Sequence, residues 1–262
     1  MLLTPFVAAA VLVRTLRWQE AAAAVAIALA FAMKDPLVVL ARQQWVWKLP
    51  QPQSRVAARW VLVEAVAVAA CALALVLTGP WMAYAALFGG AGLFMALAVW
   101  INMRNRQRAT LFQVVSALAL TSTSLMAAVA ALGMIPGWCW RLWLLLAIQA
   151  AAGIFTVHAR LDARIQLRTA QRNGAGVAEP CESRDRRIAL LICTLMALAG
   201  LGALATRSDW IGAALLVGAA GNAWDLRRQR DAQALQTPLT QVGLRSLGLS
   251  LVYAMLAIAG LW

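Results

Sequence analysis

Runs of about 20 apolar residues recur along the chain, and every second gap between them carries a cluster of arginines. A run of that length matches the roughly 30 Å hydrocarbon core of a bilayer when coiled as a helix. The composition agrees: 63% of residues are hydrophobic and 13% charged, against about half and a quarter in soluble domains. Mean hydropathy is +0.75. So much apolar surface excludes disorder, and four cysteines without a CxxC in 262 residues exclude a disulfide-stapled scaffold.

Nine runs are expected to be helical: 2–13, 21–41, 56–78, 81–103, 111–132, 142–157, 188–205, 210–226 and 243–262. The first is too short to cross. The second contains Lys34-Asp35-Pro36, and the fifth the polar stretch Thr121-Ser122-Thr123-Ser124. The runs are continuous and rich in Ala and Leu, whereas the strands of a membrane barrel alternate apolar and polar residues. A helix also satisfies its backbone polar groups within one segment, as lipid demands. The fold class is therefore an all-α, polytopic transmembrane helical bundle of about nine helices, forming a single domain over 1–262. Small-residue stretches at Gly89–Gly92 and Gly218–Gly221 are expected to let neighbouring backbones approach. The longest connection, from His158 to Arg187, reads as an Arg-rich helical extension followed by a turn through Asn173-Gly174-Ala175-Gly176 and Glu179-Pro180.

Charge gives the orientation. The connections after the second, fourth, sixth and eighth runs hold 17 of the 23 Lys and Arg residues. Odd-numbered connections hold only Arg14, Arg17, Arg141 and Arg207, while Lys34 and Arg245 lie within runs. By the positive-inside rule the even connections are cytoplasmic. The expectation is a multi-pass protein of the bacterial inner membrane, N-terminus cytoplasmic and C-terminus outside. Trp138, Trp140, Trp143 and Trp210 then form an outer interfacial belt, with Cys139 on the outer side and Cys181 on the inner. No cleavable signal peptide is expected, because Arg14 and Arg17 follow the first apolar run.

Ionisable groups at membrane depth are functional candidates by default. Lys34 and Asp35 lie beside Pro36, which removes a backbone donor; they could line a cavity or snorkel to the surface. Glu64 is five positions from Arg59, too far for a helical pair, so its partner is expected on another helix. His158 and Asp162 share one face at i, i+4. Asn222, Asp225 and Arg228 end the eighth run, and Asn102, Arg104, Asn105 and Arg106 end the fourth in a similar way. Arg104, His158, Arg160, Asp162, Asn222, Asp225 and Arg228 are thus candidate contacts in one cytoplasm-facing cavity, set against plain cytoplasmic anchoring. Arginines hold phosphate by bidentate bonds. One histidine and carboxylates set among arginines make a poor metal site. No nucleotide, zinc-protease or nucleophile-elbow fingerprint occurs, so neither cofactor nor metal is expected. Arginines split among four short loops do not suit nucleic acid.

Several segments carry a family resemblance. Met1-Leu2-Leu3-Thr4-Pro5-Phe6 resembles the Leu-Leu-x-Pro-Phe stretch that follows a His-Gly-Ala-Trp motif in YwiC-like membrane proteins. Lys34-Asp35-Pro36-Leu37, the segment from Phe155 through His158 to Arg160, and that from Pro238 through Gly243 to Arg245 resemble later parts of the same family. The His-Gly-Ala-Trp segment is absent. With the short first run, this gives the expectation that the natural start lies upstream of Met1. Helix number and polar cytoplasmic ends are also similar to UbiA-type intramembrane prenyltransferases. Those hold magnesium on Asp-rich motifs, where this chain offers only Asp35 and His158-x-x-x-Asp162.

The resulting expectation is a YwiC-like multi-pass membrane protein, leaning away from an enzyme, whose partner besides the bilayer is an anionic lipid or isoprenoid phosphate. A UbiA-like prenyltransferase is one alternative. A transporter or flippase coupled through Lys34, Asp35 and Glu64 is the other.

Overall fold

The computed structural model describes residues 3–15, 17–48, 53–104, 109–172 and 183–262. Among these, all regular structure is helical. The helices are α1 (Thr4–Val13), α2 (Trp18–Ala41), α3 (Gln53–Thr78), α4 (Trp81–Met103), α5 (Thr110–Thr121), α6 (Thr123–Leu132), α7 (Gly137–Arg172), α8 (Arg184–Ala205), α9 (Asp209–Arg228), α10 (Ala232–Leu235) and α11 (Leu239–Leu261). Each of the nine expected runs is helical. Seven helical segments are long and apolar enough to cross a membrane, with α5 and α6 counted together. Helix α9, 20 residues with Asp209 at its start and Asn222 and Asp225 near its end, is not in that set. Helix α1 has 10 residues, about 15 Å at 1.5 Å per residue, half a bilayer core. Asn105, Arg106, Arg108, Cys181 and the turn at Asn173–Pro180 lie outside the described residues.

The chain divides into two compact units, Met1–Trp143 and Leu144–Trp262. In the first, α2 packs along α3, and α1 packs on α6. Helix α6 is the buried element: every residue from Ser124 to Ala131 is inside. The hydroxyl stretch explains why α5 stops where α6 begins. Thr121 Oγ1 donates to Ala117 O, Ser122 Oγ to Ala119 O, Thr123 Oγ1 to Leu120 O and Ser124 Oγ to Thr121 O, at 2.7–3.0 Å. Back-bonding of this kind competes with the helix ladder and bends it. Cys139 is fully buried and its Sγ donates to Ser124 O at 3.4 Å, so it does not present itself at an outer surface. Trp143 Nε1 donates to Leu118 O at 3.2 Å. Helix α2 passes unbroken through Pro36 and closes in a π-helical turn, Arg42–Trp47.

The glycine stretches behave differently. A Cβ built on Gly89, Gly90 or Gly92 meets nothing within 4 Å, so the expected close packing at these three glycines is not found. In the second unit the expectation holds. A Cβ on Gly218 would lie 2.6 Å from Gln149 of α7, 2.8 Å from Met196 of α8 and 2.9 Å from Tyr253 of α11. Helix α9 is therefore packed tightly by three neighbours where it carries no side chain. The Arg-rich continuation expected after the sixth run is also present, since α7 stays helical through Arg160, Arg164 and Arg168 to Arg172.

Candidate functional site

Close packing around Gly218 brings α7, α9 and α11 together, and one turn further along α9 they part around a cavity of about 220 Å³. Helix α9 supplies Gly221, Trp224, Asp225 and Arg228, spaced i, i+3, i+4 and i+7 on one face, with Asn222 beside them. Helix α7 adds Gly153, Thr156 and Val157, and α11 adds Arg245, Ser246 and Leu249. Asn222 is buried, and its Nδ2 donates to Gly218 O at 2.8 Å and to Gln149 Oε1 at 3.5 Å. Just beyond Arg228, the fully buried Gln229 ties α9 to α7 through Nε2 to Thr156 O at 3.0 Å.

Two guanidinia and one carboxylate line this wall, and the buried guanidinium of Arg160 acts electrostatically on all three. Among the described residues Asp225, Arg228 and Arg245 form no ion pair and no side-chain hydrogen bond. Their bonding capacity is open to a ligand. The guanidinia offer only donors and the carboxylate only acceptors.

Three of the sequence candidates, Asn222, Asp225 and Arg228, thus meet in the cavity. The others are placed as follows. Arg160 is buried and its Nη2 donates to Ala234 O in the α9–α11 connection. His158 Nδ1 lies 3.8 Å from Asp185 Oδ2 at the start of α8, where the sequence pattern had suggested Asp162. In the first unit, Lys34 Nζ lies 3.8 Å from Asp35 Oδ1 and 5.6 Å from the Phe31 ring, and the Asp35 side chain is 87% exposed. Arg104 stacks 4.4 Å over Trp100. Glu64 Oε2 is buried with no hydrogen-bond partner among the described residues.

Sequence reasoning missed Arg245 as a site residue, although a lone arginine inside an apolar run was its signal. Gln149 carried a weaker form of the same signal. Nothing in the sequence pointed to the pairing of His158 with Asp185, which are 27 positions apart. Glu20, buried with its Oε2 accepting from Arg17 N at 3.0 Å, was foreshadowed only by its place three residues into a helix.

These features define a polytopic α-helical membrane protein with an arginine-walled cavity between three of its helices. Residues 1–129 match the family described as YwiC-like protein, so the first half of the chain carries the YwiC-like signature. That match stops short of the cavity and of the segments at 155–160 and 238–245. No curated protein matches the chain.

Proposed function

We propose that this YwiC-like membrane protein binds an anionic lipid or isoprenoid headgroup in the cavity between α7, α9 and α11. The reading is carried by one observation: Arg228 and Arg245, from two different helices, line the same cavity with neither guanidinium engaged. Guanidinia in this state bind phosphate oxygens through charge-assisted, bidentate bonds. The cavity sits at the Arg-rich end of α9, which the positive-inside rule puts on the cytoplasmic side of an inner membrane. Magnesium-dependent prenyl transfer fits less well. Among the described residues lining the cavity, Asp225 is the only carboxylate, and no three His, Cys, Asp or Glu side chains converge. A transport reading draws on Glu64, whose buried Oε2 lacks a hydrogen-bond partner in an apolar helix.

The test is native mass spectrometry of the full chain extracted in mild detergent. Phosphate-bearing lipid is expected to co-purify, and the double variant Arg228→Ala, Arg245→Ala is expected to lose most of it while keeping its thermal unfolding curve. Equal lipid occupancy in variant and parent would refute the proposal.

A further inference from the structure

We infer that the cavity takes a phosphodiester headgroup that carries its own hydrogen-bond donor, a hydroxyl or an ammonium, with the phosphate on Arg228 and Arg245 and the donor on Asp225. This rests on the headgroup reading above and narrows it. Asp225 shares the wall with two guanidinia, yet it reaches neither of them. An ionised carboxylate accepts hydrogen bonds and repels anionic oxygens. A phosphate monoester or a diphosphate brings about two or more negative charges, and part of that charge would lie against Asp225. A phosphodiester brings one, the least charge that still engages Arg228 and Arg245 and lays the least of it against Asp225. A donor on the far side of the phosphate then turns Asp225 from a repulsive group into a partner. Asn222 and Ser246 add an amide and a hydroxyl that adapt to either kind of donor.

Two further features favour a lipid over a free ion. The cavity, at about 220 Å³, is smaller than the roughly 300–1,000 Å³ of typical ligand pockets, and it fits a headgroup while acyl chains stay outside. Trp224 lines the cavity and is also 63% exposed, the placing of an indole at the membrane–water interface. The opening therefore meets the bilayer at headgroup depth.

The experiment measures affinity of the purified full chain for short-chain phosphatidylglycerol, phosphatidylethanolamine, phosphatidylcholine and phosphatidic acid, for geranyl diphosphate, and for soluble glycerophosphoglycerol. Phosphatidylglycerol or phosphatidylethanolamine is expected to bind about tenfold more tightly than phosphatidylcholine or phosphatidic acid, the size of one charge-assisted hydrogen bond. Asp225→Ala is expected to erase that preference while phosphatidic acid binds at least as well as before, and Asp225→Glu to restore it. A preference for phosphatidic acid or geranyl diphosphate, equal binding of phosphatidylcholine, or a preference that survives Asp225→Ala overturns the inference. Glycerophosphoglycerol binding as tightly as the lipid overturns the lipid source. Binding that ignores Arg228 and Arg245 sinks the headgroup reading itself, whereas arginine-dependent binding without donor preference sinks only this narrowing.

Discussion

Arg164 does more for the fold than its place in a basic stretch suggests. Its Nε donates to Leu235 O at 2.5 Å and its Nη2 donates to Thr237 O, while Arg160, one turn earlier, holds Ala234 O. Two cations on α7 thus donate to carbonyls at and just beyond the C-terminal end of α10, where basic groups suit a helix end. The connection they pin joins the helix of Arg228 to the helix of Arg245, so the clamp also fixes the spacing of the cavity wall. Arg164→Met is expected to lower stability by about 1–3 kcal/mol, because it strips charged donors from partly buried carbonyls. Arg168→Met, at an exposed position of the same helix, is expected to change it by less than about 0.5 kcal/mol. Thermal unfolding in detergent compares the two; equal losses would remove the clamp. Arginine periodicity was legible in the sequence, but Arg164 and Arg168 look alike there. Only the fold of the connection separates them.

At the scale of the element, glycines of the same helical composition have opposite roles. Gly218 is enclosed by α7, α8 and α11, and a methyl group there would overlap side chains from all three. Gly218→Ala is expected to cost about 1–3 kcal/mol through overpacking. Gly90→Ala in α4 meets open space and is expected to be neutral or to stabilise by up to about 1 kcal/mol, since alanine is the better helix former. Unfolding midpoints of the two variants measure this, and a loss at Gly90 comparable to that at Gly218 would mean an unseen neighbour covers α4. Both stretches read as packing motifs in sequence. A pattern of small residues records permission for close approach, not whether a neighbour takes it up. The break between α5 and α6 was more legible, because the hydroxyls that bend the helix act within their own segment.

Over the whole molecule, alternation of arginine-rich and arginine-poor connections makes a prediction about sidedness. A cysteine appended after Trp262 in a cysteine-free background is expected to react with an impermeant thiol reagent applied to intact cells. A cysteine replacing Arg230 is expected to react only after the cells are opened. The reverse pattern would invert the assigned orientation and move the cavity to the outer face. The sequence by itself determined that this chain is a bundle of membrane helices and where those helices lie. Those properties follow from local terms, chiefly apolar length and backbone satisfaction within a helix. Tertiary structure alone decided that Asp225, Arg228 and Arg245 line one cavity, that His158 meets Asp185, and that Arg160 donates to the connection after α9. Each of those outcomes depends on how helices distant in sequence pack against one another. A periodic apolar pattern marks which residues can share a face of a helix, but it does not say which neighbour that face will meet.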